Sequence, residues 1–335
     1  MIKDEQKLNP KLLDTDVEQL PIRKGFGEGL LEMGEKNTNI IALCADLTES
    51  TQMHLFKNKF PDRFIEIGVA EQNLASVASG MSAMGKLPVI SSYAMFSPGR
   101  NWEQIRTTIC YNNRKVIIAG SHAGISVGPD GGTHQAIEDI AITRVIPNMT
   151  VISPCDAIEA KKAIIAVLDG SVKTPVYLRL AREKTPVITS IDTPFQVGKA
   201  QILFESENPQ VTMIATGALV HKALVVAKDL ESQGIGSIVV NLSTIKPLDR
   251  ETIVSVAKKS GKVVTIEEHQ VAGGMGSAVA ECLGEFYPVP MRFVGVKDVF
   301  GQSGTPDELI EHYGMGVSHI KDAVINLVNN KNEIK

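Results

Sequence analysis

Glu71 is the residue whose surroundings say most about chemistry. A β-rich run from Arg63 to Ile67 breaks at Gly68, and Glu71 follows at the mouth of a small-residue, apolar helix that runs to about Met84. Its neighbours Val69, Ala70 and Leu74 are apolar and are expected to be buried. A carboxyl group in dry surroundings can hold or hand over a proton near neutrality. Such a group could hydrogen-bond a ring nitrogen of a heterocycle and set its protonation. A glutamate at a helix start is also stabilised by the macrodipole alone, and this segment by itself leaves both readings open.

A second group gathers in Gly120-Ser-His-Ala-Gly-Ile-Ser-Val-Gly-Pro-Asp-Gly-Gly-Thr-His-Gln135. It follows an apolar strand, and open α/β sheets place ligands at the carboxyl ends of strands. Its glycines permit backbone conformations that other residues resist, so one flexible scaffold would present His122, Asp130 and His134. The alternative is a glycine-rich turn with incidental polar residues. A metal site lacks a third ligand at suitable spacing. Ser50 follows the strand Ile40–Cys44, Arg182 follows Val176–Arg179, and Arg23 precedes the first helix. If the strands are parallel, Ser50, Arg182 and the His122 loop share one rim. Guanidinium groups there would suit a phosphate, whose oxygens they bind in bidentate fashion. Tyr93 and Phe96, just after the strand Pro88–Ser92, could stack on a flat heterocycle or could be core aromatics.

Along the chain that carries these residues, short apolar runs alternate with helical patterns almost throughout. Ile40–Cys44, Phe64–Ile67, Pro88–Ser92, Val116–Ala119, Thr150–Ser153 and Val176–Arg179 read as strands, with helices near Gly25–Glu35, Glu71–Met84, Trp102–Tyr111 and Ala157–Leu168. That is the pattern of βαβ units on a mostly parallel sheet. Glu183 to Phe195 has two prolines and little periodicity and reads as a linker. Strands then resume at Val211–Ala215, Ser237–Asn241, Val263–Glu267 and Met291–Val294, with helices between them and a last one near Ile320–Val328. The fold class is therefore α/β, with a parallel-sheet unit over residues 15–186, a linker over 187–200 and a smaller α/β unit over 201–335.

Composition agrees. A chain of 335 residues exceeds what one core usually holds, and 43% hydrophobic with 21% charged residues is an ordinary globular balance. A formal charge of −4 argues against electrostatic nucleic-acid binding. No apolar run approaches the roughly 20 residues that span a bilayer, and the polar N-terminus lacks a secretory apolar core. Cys44, Cys110, Cys155 and Cys282 are dispersed and read as buried thiols of a reducing, cytoplasmic compartment. Gly273-Gly-Met-Gly276 lacks the full dinucleotide fingerprint and reads as tight strand-to-helix packing. Glu267-Glu-His269 before it is placed near a domain boundary, without a catalytic role.

Taken together, Arg23-Lys24, Ala45-Asp-Leu-Thr-Glu-Ser50, Gly68-Val-Ala-Glu-Gln-Asn73, the loop Gly120–Gln135, Pro147–Pro154, Leu180-Ala-Arg182, Lys246-Pro-Leu-Asp249 and Glu267-Glu-His resemble the C-terminal half of the transketolase family, over nearly the whole chain. The resemblance implies a pyrimidine-binding domain of thiamine diphosphate enzymes followed by the family's small C-terminal domain. Glu71 matches the carboxylate that bonds the aminopyrimidine. Phe96 matches the aromatic stacked on that ring, with Tyr93 beside it, and Asp46 matches an acidic residue close to the coenzyme. Arg23, Ser50, His122 and Arg182 match a sugar-phosphate clamp. Asp130 matches a residue that reads a substrate hydroxyl, and His134 one near the pyrimidine amino group that helps move protons.

The implied activity is transfer of a two-carbon ketol unit from a ketose phosphate to an aldose phosphate. Two departures matter. A third pocket aromatic is replaced by Ser97-Pro-Gly-Arg100, with Trp102 a candidate substitute. The Gly-Asp-Gly segment that holds Mg²⁺ (or Ca²⁺) and the diphosphate does not occur. The resemblance therefore implies a separate N-terminal partner subunit that brings the metal, in an α₂β₂ assembly. A deoxyxylulose-phosphate synthase, the beta subunit of an oxoacid dehydrogenase and a non-catalytic scaffold are the alternatives.

Overall fold

The strand runs are rich in β-branched residues and apolar on both faces, as a sheet covered on both sides requires. The computed structural model describes residues 1–329 and builds two such sheets; the end of the second expected unit, 330–335, lies outside the described residues. The first sheet has seven strands, in the order Thr244–Lys246, Thr150–Ile152, Val176–Arg179, Ile117–Ser121, Leu87–Tyr93, Ile40–Cys44 and Phe64–Glu66. Every pairing is parallel except that of Thr244–Lys246 with Thr150–Ile152. Because side chains alternate across a strand, Leu43, Ile90 and Ile118 pack on one face with Leu74, Ala75 and Ala78 of the helix Glu71–Ala83. Ala42, Val89 and Ile117 pack on the other with Phe26 and Leu30 of Ile22–Lys36 and Ala160 and Ile164 of Ala157–Leu168. Those two helices touch through Gly25, where a Cβ would lie 1.7 Å from the Ala157 carbonyl oxygen.

The second sheet runs Met291–Val296, Val263–Gln270, Val211–Ala215, Ser237–Asn241 and Gln201–Glu205. Its last strand is antiparallel and half-buried, an edge whose weak apolar pattern escaped the sequence reading. The two units interlock. Thr244–Lys246 belongs to the second in sequence but completes the first sheet, and one apolar cluster runs from Leu74 and Ile90 through to Ile238 and Val279.

Three expectations are corrected. The stretch after Glu183 is not a free linker: Lys184–Pro186 pairs antiparallel with Gln19–Pro21. Beyond it, the buried Asp156 carboxylate accepts hydrogen bonds from the N–H groups of Ile188 at 2.8 Å and Thr189 at 2.6 Å. The expected helix Trp102–Tyr111 is α-helical only over Trp102–Gln104 and continues as a π-helical stretch, Ile105–Cys110. The glycine-rich loop is not a flexible scaffold but a largely buried 3₁₀ turn, Ile125–Asp130, seated on the second unit. Gln135 donates to the Gln302 carbonyl at 3.0 Å, and the Ser126 N–H donates to the Glu268 carboxylate at 2.5 Å.

Candidate active site

Parallel register brings the carboxyl ends of Ile40–Cys44, Leu87–Tyr93, Ile117–Ser121 and Val176–Arg179 to one rim. His122 leaves the strand Ile117–Ser121 with φ of 56°, a left-handed conformation uncommon for a residue with a side chain. This turn lays its ring against Tyr93, with centroids 3.8 Å apart and planes 23° from parallel. Arg23, expected just before the first helix, is the second residue of Ile22–Lys36 and reaches the same ring from there. Its Nη1 lies 3.3 Å from His122 Nε2 and donates to the Ser50 carbonyl oxygen at 2.5 Å. Since guanidinium only donates, Nε2 must accept, which leaves the His122 proton on Nδ1, 2.9 Å from Ser121 Oγ.

Burial pushes the His122 imidazole down to about 3, and the charges of Arg23, Arg182 and His134 add to the effect. Arg23 is itself shifted downward, by burial first and then by the Arg182 charge, and its buried Nε has no hydrogen-bond partner. Two guanidinium groups repel each other around a neutral imidazole, and an anion between them would relieve that repulsion. Arg182 donates to the Val127 carbonyl at 2.6 Å and pairs with Asp130 at 3.3 Å and Glu183 at 3.3 Å.

The aromatic pair continues the surface. Tyr93 and Phe96 stack with centroids 6.0 Å apart, and His134 meets the edge of Phe96 at 5.3 Å while its Nδ1 lies 2.9 Å from Thr133 Oγ1. Beyond Phe96 lies Glu71, the first residue of its helix, with a side chain only 4% exposed. Two neighbours differ from expectation. Val69 is 69% exposed, because the turn at Gly68 throws it outward, and Ala70 is only half-buried. Glu71 is also not in purely apolar surroundings: Arg100 Nη1 sits 3.3 Å from both carboxylate oxygens, and its guanidinium lies 4.1 Å over the Phe96 ring. Trp102 does not rebuild the missing aromatic wall. Its indole N–H donates to the Ile142 carbonyl at 2.7 Å and its ring packs into the core.

The structure therefore joins Arg23, Ser50, His122, Tyr93, Phe96 and His134 in one chain of contacts, places Arg182 with Asp130 beside it, and connects Glu71 through Arg100. Ser50 takes part through its main chain. Asp46 stands apart, exposed on the same rim at φ of 58°, its N–H held by Glu66 at 2.7 Å. Sequence reading missed Arg100. The signal was its spacing: the Arg100 N–H bonds the Phe96 carbonyl at 2.9 Å in a helical turn, so residues four apart share a face.

It also missed the buried support beneath the rim. Arg179, 6% exposed, donates to Asp139 at 2.8 Å and to the Glu268 carbonyl at 2.8 Å, and Tyr177 donates to the same Asp139 at 2.6 Å. His269, fully buried where the units meet, accepts from the Ala141 N–H at 3.3 Å. Burial pushes His269 down to about 4 and Glu267 up to about 7. Glu267 caps the helix Met275–Phe286 through the N–H groups of Met275 and Gly276, at 2.7 and 2.8 Å, which is what the glycine cluster makes room for.

These residues fit an aminopyrimidine, which needs an aromatic face and a buried carboxylate together; Phe96 and Glu71 present both. Among the described residues no group of three or more His, Cys, Asp or Glu side chains could hold a metal ion, and no helix is long and apolar enough to cross a membrane.

The fold is thus two interlocked, parallel-rich α/β units, with a carboxylate and an aromatic pair beside a rim of arginine and histidine. Family comparison sharpens this. Residues 18–187 match the transketolase pyrimidine-binding domain and residues 198–320 the transketolase C-terminal domain. The chain belongs to the transketolase family. It is 43% identical to a putative transketolase C-terminal section of Methanocaldococcus jannaschii, over 88% of this chain and 92% of that one. It is 41% identical to a 6-deoxy-6-sulfo-D-fructose transketolase subunit of a Clostridium species, over 95% and 98%. A solved structure described as a split-gene transketolase, an inactive beta4 tetramer, superposes with a TM-score of 0.86 at 44% identity, covering 93% of this chain and all of that one.

Proposed function

We propose that this chain is the C-terminal subunit of a split transketolase. It works in the cytoplasm with a separate N-terminal subunit, in an α₂β₂ assembly, and moves a two-carbon ketol unit from a ketose phosphate to an aldose phosphate. Residues 15–186 form its pyrimidine-binding domain and 201–335 its C-terminal domain, joined through 187–200. The observation that carries this reading is the continuity of two sites, the buried Glu71 beside Phe96 and the cationic rim of Arg23, His122 and Arg182. Thiamine diphosphate, when bound, supplies the nucleophilic carbon and the electron sink for cleaving a carbon–carbon bond.

The chain's own groups do the rest. Glu71 would hold the ring nitrogen of the pyrimidine by a hydrogen bond and so set where its proton sits. Phe96 and Tyr93 would keep the ring flat and dry, and Asp46 would approach the coenzyme from the neighbouring strand end. Arg23, Arg182 and the Ser50 hydroxyl would donate to the phosphate, and the neutral His122 would hold Arg23 in place against it, which fixes the far end of the sugar and orients its reacting carbons. Asp130 accepts from a substrate hydroxyl, and His134 moves protons at the pyrimidine edge. The N-terminal subunit contributes the Mg²⁺ or Ca²⁺ and the diphosphate site. The dispersed, buried thiols suit a reducing compartment.

A second reading concerns the anion. The likeness to a sulfo-fructose transketolase subunit favours a sulfonate, which also offers tetrahedral oxygens to guanidinium.

The test is co-expression with the candidate N-terminal subunit and assay of ketol transfer with Mg²⁺ and thiamine diphosphate, using phosphorylated and sulfonated ketoses in parallel. Ketol transfer by the pair and none by either chain alone is expected. Decarboxylation of pyruvate by the pair without ketol transfer would replace the reading with that of an oxoacid dehydrogenase beta subunit.

A further inference from the structure

Arg100 touches both halves of the pyrimidine pocket, Phe96 and Glu71, and nothing in the ketol-transfer reading uses it. Its guanidinium sits over Phe96 with Cζ 4.1 Å from the ring centroid, and the same group directs an N–H at both oxygens of Glu71. Guanidinium and aminopyrimidine both contain a planar, conjugated N–C–N unit, although guanidinium donates to the Glu71 carboxylate whereas the ring nitrogen would accept from the Glu71 carboxyl proton. Arg100 thus occupies the two places, the face of Phe96 and the oxygens of Glu71, that the ring would take.

We infer that Arg100 is an internal placeholder for the pyrimidine, which closes the half-pocket of this chain until the coenzyme displaces it. This rests on the thiamine diphosphate reading above. Without a counter-charge, the Glu71 carboxylate, 4% exposed, would be a buried anion; Arg100 supplies one. The pairing is also built to yield. Both N···O distances are 3.3 Å, longer than the about 2.7–2.9 Å of a tight charge-assisted bond, and the Arg100 side chain is 51% exposed, so it can swing into solvent on its own stem.

The turn that carries Arg100 is held firmly. The N–H groups of Phe96 and Ser97 both bond the Tyr93 carbonyl at 2.8 Å. Gly99 packs so close to the Met95 carbonyl oxygen, 1.9 Å from a built Cβ, that no side chain fits there. Asn101 ties the far end of the turn to the Glu71 carbonyl at 3.0 Å. The backbone thus stays in place while the guanidinium leaves. The four residues Ser97 to Arg100, which replace an aromatic wall, deliver a movable cation instead.

The test measures binding of the coenzyme's hydroxymethyl-aminopyrimidine half to the full-length chain alone, by calorimetry. Arg100→Ala is expected to bind it about tenfold more tightly than wild type, and adding Glu71→Gln should remove the gain. Arg100→Gln, which keeps a planar but neutral group, should fall between the two and serves if the alanine variant does not fold. Arg100→Ala binding no tighter than wild type, while Glu71→Gln still weakens it, would overturn the placeholder and leave the coenzyme reading standing. Binding indifferent to Glu71→Gln in every background would overturn both.

Discussion

His122 offers a quantitative test of the anion site, because its role as hydrogen-bond acceptor requires it to stay neutral. An unperturbed imidazole titrates near 6.5, and burial, with Arg23, Arg182 and His134 adding, pushes His122 down to about 3. The sign follows from linkage. The folded-state value is depressed, so as pH falls through 6.5 the unfolded chain takes up a proton that the folded chain refuses, and stability is lost. Between pH 7 and pH 5 this single group should cost about 2 kcal/mol, a figure set almost wholly by the unfolded-state value once the folded one lies below about 4. The perturbation is His122→Asn, which keeps a neutral polar group and removes the titration.

Urea denaturation of both chains at pH 7 and pH 5 should show the wild type losing about 2 kcal/mol more than the variant. The subtraction cancels the other depressed histidines, His221 and His269. Imidazole resonances report the site directly, with the variant assigning His122 among the 7 histidines. His122 should remain neutral at pH 5 and begin to protonate earlier when inorganic phosphate is added, because an anion between the guanidinium groups offsets their repulsion. A midpoint near 6.5 without phosphate, or equal pH dependence in the two chains, would mean that His122 is not held buried and neutral beside Arg23 as described.

Glu71→Ala in the reconstituted pair should lower turnover by several orders of magnitude; activity within tenfold of wild type would remove the carboxylate from the proton-handling role. Arg182→Ala should raise KM for phosphorylated sugars far more than for unphosphorylated ones, and equal changes for both would take it out of the anion site. Arg179→Met should destabilise the chain by about 3–5 kcal/mol, since it strands the buried Asp139 carboxylate and frees the Glu268 carbonyl. A melting temperature unchanged by that substitution would show that the buried pair does not hold the units together.

Much of this chain was legible before any coordinates. Ile40–Cys44, Val176–Arg179, Val211–Ala215 and Ser237–Asn241 form strands at the very residues read from their apolar runs, because buried parallel strands leave that unbroken signature. The rim was legible too: once the strands are parallel, residues just past their carboxyl ends must converge, and the His122 ring does meet Arg23 and Tyr93. The edge strand Gln201–Glu205 was not, since an element buried on one side and paired on one edge leaves half the pattern. Nor was Thr244–Lys246, whose three residues acquire strand character only by pairing with Thr150–Ile152, nearly a hundred positions away.

What the amino-acid order determined by itself was local: where strands and helices run, which residues end them, and which types of side chain face the rim. Tertiary structure alone decided who answers each charge. Arg100 rather than an apolar wall faces Glu71, Asp139 receives Arg179 from forty positions on, and Glu268 of the second unit pins the turn that presents His122. The reason is physical. Apolar periodicity is written in consecutive residues, whereas a buried charge takes whichever counter-charge the packing brings within a few ångströms, at any separation along the chain.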